Sequence, residues 1–315
     1  MARLLVAGAG ALGSVFGALL RLRGHEVALL GRKPHLDAVE RQGLFVDGIW
    51  GEHRAQGFSC FADPGAIDGD FDLVLVTVKS FDTERIADEV ATRLRAQGFA
   101  VSLQNGLGNV ETLERRFGPE RTLGGRVIFG AEVVKPGHVR VTVYAEPVLL
   151  GAWEPGRFPS RDTAARRWAE EFAKSGIPCE YTENLRTAIW AKVFYNAALN
   201  PLGALLGVPY GALAESEATR GFMDHVIDEA YAVARAEGIP LPWPDAGAYR
   251  ELFYSRLVPS TYDHRSSMLQ DLERGRRTEI EAINGAVWRL AERHGMAAPY
   301  NEALTRLVRY REGRR

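Results

Sequence analysis

The 315-residue sequence contains few cysteines, few lysines and no long apolar run. Its two cysteines, Cys60 and Cys179, lie far apart and outside any CxxC or His-rich motif, which argues against a disulfide framework and a zinc site. No apolar run approaches the roughly 18 residues of a membrane span, and the first residues lack a signal-peptide pattern. The net charge of -1 gives no general attraction to nucleic acid or anionic membranes. We therefore expect a cytoplasmic protein without metal, nucleic-acid or membrane partners.

Lysine is scarce relative to arginine: of 39 basic residues, five are Lys and 34 are Arg. Such a bias can come from genome composition. It nevertheless makes each lysine a candidate for a role that arginine cannot fill, such as releasing a proton. Hydrophobic residues make up 46% and charged residues 25%, as in globular proteins, and the length favours two domains. A homodimer is the default assembly, because closed two-fold oligomers are the commonest.

The N-terminal segment has the order strand, glycine turn, helix, strand. The apolar runs Leu4–Ala7 and Val27–Leu30 enclose a helical pattern that ends at Gly24. A G-x-G-x-x-G motif follows the first run and consists of Gly8, Ala9, Gly10, Ala11, Leu12 and Gly13. In this context the glycines permit a tight turn, the approach of a pyrophosphate and close packing of helix on strand. The motif predicts dinucleotide binding, and a purely structural glycine turn is the alternative.

The second strand ends in Gly31-Arg32-Lys33. NAD enzymes place an acidic residue there to bind the ribose 2′-hydroxyl, whereas this chain has two cations. Arg32 suits a 2′-phosphate, so the predicted cofactor is NADPH rather than NADH. A surface Arg-Lys pair at the end of a strand is the alternative.

Two further apolar runs lead into Lys79 and Asn105. The carboxyl ends of parallel strands form the ligand crevice of an open α/β sheet. Lys79 is therefore a candidate for cofactor phosphate or ribose, and Asn105 for the nicotinamide ribose or the substrate. Asn105 precedes a glycine, so a simple turn residue is also consistent with the pattern.

The remaining pattern divides the chain into two parts. Residues 127–151 predict an antiparallel meander of three strands, followed by a helix near 162–174 and a strand near 180–181. From about residue 184 the pattern is helical throughout. We expect an NADPH-binding α/β domain over residues 1–183 and an all-α domain over residues 184–315.

The segment Thr187–Leu199 predicts a buried helix with one polar stripe, which Pro201 should stop or kink. Lys192, Asn196 and Asn200 fall within roughly 80° of each other on this helix. An amide buried without partners costs on the order of 2–7 kcal/mol, so the stripe indicates a wet or ligand-filled cleft. A helix with one solvent-facing edge is the alternative.

Two later segments also carry polar residues. Ser266-Ser267 predicts a helix N-cap, with capping alone as the alternative to ligand binding. Residues 278–294 predict a helix with Glu279 and Ile283 on one face. Glu279 is either a surface charge or the partner of a buried lysine.

Together these motifs resemble the ketopantoate reductase family, the 2-dehydropantoate 2-reductases, over essentially the whole chain. The matching segments, in chain order, are Gly8–Gly13, Lys79, Leu103–Gly108, Lys192–Pro201, Ser266–Asp271 and Thr278–Gly285. The family joins a Rossmann domain to a helical domain like that of 6-phosphogluconate dehydrogenases. The resemblance implies NADPH-dependent reduction of 2-dehydropantoate to (R)-pantoate, on the route to pantothenate and coenzyme A.

The resemblance also implies a role for each residue. Lys192 would be the proton donor, and Glu279 would lie near it and near the nicotinamide ribose. The implied substrate-binding residues are Asn105, Asn196, Asn200 and Ser267. The implied cofactor-binding residues are Gly8, Ala9, Gly10, Ala11, Leu12, Gly13, Arg32, Lys79, Asn105, Ala131 and Glu279.

One departure affects the substrate. Tyr210-Gly211 stands where family members often have Asn-Gly, so one substrate contact differs. Another 2-oxo acid, ketone or imine therefore stays an alternative substrate on the same fold. A non-catalytic NADPH sensor is a further alternative, disfavoured because the polar residues of the expected site are all present.

Overall fold

The computed structural model describes residues 1–314, which group into two units. The first unit comprises Met1–Gln104 and Asn109–Leu185, and the second comprises Asn105–Gly108 and residues 186–314. Within residues 1–314, no helix combines the length and apolar content that crossing a membrane requires. The short segment Asn105–Gly108 thus belongs with the second unit, although the first unit surrounds it in sequence.

The first unit is built on one twisted sheet with mostly parallel strands. Its strands within residues 1–314 are β1 (Arg3–Ala7), β2 (Glu26–Leu30), β3 (Leu44–Gly48), β4 (His53–Ala55), β5 (Ser59–Phe61), β6 (Phe71–Val76), β7 (Leu94–Ser102), β8 (Thr122–Lys135), β9 (His138–Gly151) and β10 (Cys179–Tyr181). Their order is β4-β3-β9-β8-β7-β6-β1-β2-β5, and β10 pairs with β9. In the described ladders only β3–β4 and β8–β9 are antiparallel.

Helices cover both faces of this sheet. They are α1 (Ala11–Leu22), α2 (Lys33–Gln42), α3 (Thr83–Val90), α4 (Asn109–Phe117) and α5 (Pro159–Lys174), with 3₁₀ turns at Pro64–Ala66, Ser80–Asp82, Ala91–Arg93 and Pro119–Arg121. Because side chains alternate along a strand, Leu4 and Val6 of β1 enter one core with residues of α1 and α5. Leu5 and Ala7 enter a second core with residues of α3 and α4. This two-sided burial is the Rossmann-like architecture expected from the sequence.

The three-stranded meander predicted over residues 127–151 is wrong. The structure has two long strands, β8 and β9, joined by the two residues Pro136 and Gly137. Residues 139–144 and 147–151 lie in one strand, because register shifts along the β8–β9 ladder accommodate the irregularity without a turn. The predicted strand near 180–181 is present as β10.

The second unit is helical apart from its connecting segments. Its helices within residues 1–314 are α6 (Leu185–Leu206), α7 (Tyr210–Glu215), α8 (Glu217–Ala236), α9 (Ala246–Leu252), α10 (Ser267–Glu273), α11 (Asn284–Arg293) and α12 (Pro299–Gly313), with 3₁₀ turns at Pro259–Thr261 and Ile280–Ala282 and a π-helical turn at Phe253–Leu257. α8 contacts α7, α9, α11 and α12. The fully buried Phe194 of α6 packs against the rings of Tyr231 and Tyr249. A Rossmann-like α/β unit followed by a helical unit is therefore the observed fold.

The continuous helix predicted over residues 278–294 is wrong in its first part, because α11 begins only at Asn284. Ile283 has φ −105° and ψ −96°, outside the helical region. The Ala282 carbonyl accepts a hydrogen bond from the Leu107 amide at 2.8 Å. Glu279 and Ile283 consequently do not share the helical face that the sequence suggested.

Pro201 does not stop α6, which continues to Leu206. Proline has no N–H for the carbonyl four residues earlier, here that of Ala197. The Asn284 side chain supplies the missing donor, with its Nδ2 3.0 Å from the Ala197 oxygen. The same Nδ2 donates to Asn301 Oδ1 at 3.0 Å, and both asparagines are fully buried. A side chain distant in sequence thus replaces the helical hydrogen bond that Pro201 removes.

We predict that Asn284→Ala lowers the free energy of unfolding by about 2–3 kcal/mol, because it leaves the buried Ala197 carbonyl unsatisfied. Pro201→Ala restores a backbone donor to that carbonyl. Asn284→Ala should therefore cost about 1 kcal/mol less in the Pro201→Ala background than in the wild type. Urea unfolding of the four proteins measures this coupling, and strictly additive costs would contradict the assignment.

Candidate functional site

The polar stripe of α6 lies on a helix that is otherwise apolar. Asn196 and Asn200 are only 7% and 5% exposed, whereas Lys192 is partly buried. No group within residues 1–314 hydrogen-bonds the Asn196 amide. A buried amide without a protein partner is costly unless water or a ligand satisfies it. The stripe therefore has the character of a binding surface.

Asn105 links Lys192 to Glu279 by hydrogen bonds. The Lys192 ammonium donates to Asn105 Oδ1 at 2.6 Å, and Asn105 Nδ2 donates to Glu279 Oε2 at 3.3 Å. Glu279 is only 6% exposed. The structure thus brings together three residues that are far apart in sequence: one cation, one amide and one buried carboxylate. An amide between them holds the lysine on one side through its oxygen and the carboxylate on the other through its nitrogen.

The loop Asn105–Gly108 is held against the 3₁₀ turn that follows Glu279. Gly106 has φ +84°, and a Cβ there would lie 2.4 Å from the Ala282 carbonyl oxygen. The neighbouring Leu107 amide donates to that same oxygen. Only glycine combines this conformation with this close approach. The sequence motif around Asn105 contains this glycine, but its contact with Ala282 was not predictable from the motif.

Asn200 is fixed from two directions. The Tyr210 hydroxyl donates to Asn200 Oδ1 at 2.5 Å, and the Ser266 hydroxyl donates to the Asn200 main-chain oxygen at 3.3 Å. Ser266 also accepts a hydrogen bond from the Leu269 amide, so it is the N-cap of α10 as expected. Ser267, the serine implied to bind substrate, is exposed at the first residue of α10. From the sequence, Tyr210 was notable only because it stands where family members often have asparagine.

Aromatic side chains surround this end of α6. The Tyr210 ring packs edge-on against Tyr195, with centroids 5.6 Å apart, and lies 5.1 Å from His264. Burial raises the pKa of Tyr195 to about 12 and lowers the pKa of His264 below its ordinary value. Both groups are therefore neutral near pH 7, and Lys192 is the cation of the stripe. Such a site can hydrogen-bond an anionic or carbonyl oxygen and supply a proton to it.

The glycine motif of the first unit has the geometry that a pyrophosphate site needs. Gly8 has φ +121°, and a Cβ on Gly13 would lie 2.3 Å from the Gly8 carbonyl oxygen. A Cβ on Gly10 would meet only one atom, the Gly8 oxygen at 4.0 Å, so the space beside it is open. Within the described residues no side chain caps α1, which leaves its first-turn amides accessible to an anion. These features fit a dinucleotide.

Arg32 is exposed at the N-terminus of α2 and follows Gly31. A Cβ on Gly31 would lie 2.8 Å from the Cβ of Ala9, so β2 ends against the glycine loop. Lys79 immediately precedes the 3₁₀ turn after β6 and is partly buried. Ala131 lies in β8, paired with Val141. Arg32 thus lies one residue from a glycine that touches the loop.

Known proteins resemble this chain over nearly its whole length. Residues 4–155 match the family described as ketopantoate reductase PanE/ApbA, and residues 184–312 match its C-terminal domain. The 2-dehydropantoate 2-reductase of Aquifex aeolicus is 37% identical over 98% of this chain and 97% of its own. The 2-dehydropantoate 2-reductase of Archaeoglobus fulgidus is 35% identical over 98% of this chain and 97% of its own.

Solved structures agree with these sequence relatives. A ketopantoate reductase from Ralstonia eutropha JMP134 has a TM-score of 0.87 and 35% identity, covering 99% of this chain and 98% of its own. A ternary structure of D-mandelate dehydrogenase with NADH and anilino(oxo)acetate has a TM-score of 0.86 and 27% identity over 99% and 98%. Because both halves match in order and the relatives extend over the full length, the chain belongs to the ketopantoate reductase PanE/ApbA family of oxidoreductases.

Proposed function

We propose that this protein reduces 2-dehydropantoate to (R)-pantoate with NADPH. The observation that carries the proposal is the hydrogen-bonded row Lys192–Asn105–Glu279 beside the buried amides of α6. Relatives named 2-dehydropantoate 2-reductase, 37% and 35% identical, support this substrate. The absence of an acidic residue at the end of β2, where Arg32 follows Gly31, supports NADPH.

The proposed mechanism assigns the proton to Lys192. NADPH, when bound, supplies the hydride that adds to C2 of the 2-oxo acid. Lys192 Nζ donates a hydrogen bond to the carbonyl oxygen and transfers a proton to it, which leaves a neutral amine and an alcohol. The amine then regains its proton from solvent. Asn105 Oδ1 accepts a hydrogen bond from the same ammonium and so fixes its direction. Glu279 accepts a hydrogen bond from Asn105 Nδ2 and so fixes the Asn105 amide.

The residues that would hold the pyrophosphate and the 2′-phosphate of the cofactor are in the first unit. The first-turn amides of α1 and the open face of Gly10 suit the pyrophosphate. Arg32 would pair with the 2′-phosphate through charge-assisted hydrogen bonds. Lys79 would contact phosphate or ribose.

An aromatic 2-oxo acid is the second candidate substrate. The D-mandelate dehydrogenase structure holds anilino(oxo)acetate, an oxoacetate that carries an aromatic ring, on the same fold. In this chain the buried Tyr210 stands where the family often has asparagine, and its hydroxyl is taken up by Asn200, so one polar contact to the substrate is missing. A bulkier and less polar substrate than 2-dehydropantoate is consistent with both observations.

Substrate-dependent loss of NADPH absorbance with the purified protein tests the proposal. We expect turnover with 2-dehydropantoate and NADPH, and much slower turnover with NADH. Faster turnover of phenylglyoxylate would favour the aromatic candidate and retain the Lys192 mechanism. Tight NADPH binding without turnover of any 2-oxo acid, ketone or imine would refute the enzymatic function.

Removing the proposed proton donor should abolish most of the activity. We predict that Lys192→Ala lowers kcat at least about 100-fold, the usual scale for the loss of a general acid. The kcat of Lys192→Arg should also be low, because guanidinium keeps the charge but does not release a proton. Lys174→Ala is the control, because Lys174 is an exposed lysine of α5 paired with Glu170. A Lys192→Ala enzyme with more than half of the wild-type kcat would refute the assignment.

Removing the proposed 2′-phosphate ligand should alter the cofactor preference. We predict that Arg32→Ala lowers the ratio of kcat/KM for NADPH to that for NADH by about tenfold or more, the effect of losing a charge-assisted hydrogen bond. Because NADPH and NADH differ only in the 2′-phosphate, this ratio of kcat/KM values reports on recognition of the phosphate alone. Arg41→Ala, at an exposed position in the last turn of the same helix, is the control. An unchanged ratio would mean that another residue recognises the phosphate.

A further inference from the structure

Tyr210 is held rigidly at the start of α7. Its side chain is 3% exposed and packs against the rings of Tyr195 and His264. Its main-chain amide donates to the His264 carbonyl at 3.1 Å. Packing and backbone therefore fix the position of the Tyr210 hydroxyl.

The Tyr210 hydroxyl determines the orientation of the Asn200 amide. Burial raises the pKa of Tyr210 well above its ordinary value, so the phenol keeps its proton. A buried phenol proton needs an acceptor, and Asn200 Oδ1 at 2.5 Å is that acceptor. Rotating the amide by half a turn would place an N–H against the phenol oxygen and leave the buried phenol proton without this acceptor. The amide oxygen is thus occupied, and the two N–H donors of Asn200 point away from Tyr210.

The stripe consequently presents mainly hydrogen-bond donors. Lys192 carries the ammonium, and Asn200 presents its NH₂ on the same side of α6. Asn196, one turn from each, has an amide without a protein partner within residues 1–314. Two donors, the Lys192 ammonium and the Asn200 NH₂, beside an Asn196 amide that can turn either end, fit a carboxylate, which only accepts, better than a hydroxyl, which also donates.

We propose that Tyr210 is a positioning residue that locks Asn200 as a donor to the substrate carboxylate. This proposal rests on the proposed function and deepens it: at Asn200 the enzyme recognises the carboxylate of a 2-oxo acid rather than a substrate hydroxyl. Tyr210 itself makes no contact with the substrate and acts through the orientation of one amide.

Tyr210→Phe removes the hydroxyl and keeps the ring, so the Asn200 amide becomes free to rotate. We expect KM for the 2-oxo acid to rise about tenfold with kcat within about twofold of the wild type, the scale of one hydrogen bond to a charged group. In an Asn200→Ala background the same substitution should change KM less than about twofold, because the group that it orients is gone. Steady-state kinetics of the four proteins give this coupling.

Two further variants make the test specific. Asn200→Asp keeps the size and the acceptor for Tyr210 but turns a carboxylate oxygen toward the substrate, so it should lower kcat/KM further than Asn200→Ala does. Tyr195→Phe removes another buried tyrosine hydroxyl, one bonded to Thr261 at 2.5 Å, and should leave KM unchanged. Thermal unfolding of each variant separates a loss of stability from a change in KM.

The outcomes separate the two proposals. A wild-type protein that reduces no 2-oxo acid overturns the proposed function and this inference together. With an active wild type, equal KM changes in Tyr210→Phe and Tyr195→Phe, or an undiminished Tyr210→Phe effect without Asn200, overturn only the role of Tyr210. A higher kcat/KM for Asn200→Asp than for Asn200→Ala overturns the assignment of Asn200 as a donor.

Discussion

The hydrogen bond from Lys192 to Asn105 is the constraint that organises the site. An ammonium on a mostly apolar helix needs an acceptor at a fixed place, because an unpaired buried charge is far more costly than an unpaired amide. Asn105 is such an acceptor, at 2.6 Å. It is placed by Gly106, whose left-handed conformation and close approach to Ala282 no other residue can match. The position of the Lys192 ammonium therefore depends on the backbone of a four-residue loop.

The irregular backbone before α11 follows from the same constraint. A regular helix over residues 278–294 would turn the Ala282 carbonyl toward its own helix. Instead that carbonyl accepts from the Leu107 amide, and α11 starts two residues later at Asn284. This arrangement brings the buried Glu279 to Asn105, where it accepts from the amide nitrogen. Local helix propensity is thus overridden by one long-range hydrogen bond.

The sequence predicts the features that depend on local spacing. The glycine motif, the two-domain order and the stripe of Lys192, Asn196 and Asn200 all follow from periodicities of a few residues. The course of α6 through Pro201 was not predictable in this way, because the replacement donor, Asn284, lies more than 80 residues away. The long β8–β9 hairpin escaped prediction for a related reason, since irregular pairing across two strands is not visible in either strand alone.

The candidate site was predictable in its composition but not in its connections. The stripe indicated that polar groups gather on α6, yet it did not show that Asn105 stands between Lys192 and Glu279. The motif around Ser266 and Ser267 indicated a helix cap, but not that Ser266 also donates to Asn200. Such contacts are set by how distant segments pack, and a single sequence records only the residues that make them.

The choice of amides beside one lysine has its own physical logic. A second buried cation would bind a carboxylate strongly, but it would repel Lys192 and would cost several kcal/mol to desolvate in the absence of substrate. Neutral amides are far less costly to bury, and a hydrogen bond from such an amide to a charged oxygen is still worth about 1.5–3 kcal/mol. Their weakness is that an amide can turn either end toward the ligand. In this chain the Tyr210 hydroxyl removes that ambiguity at Asn200 by occupying its oxygen. Orientation by a buried phenol thus gives a neutral group part of the selectivity for anions that a charge would otherwise provide.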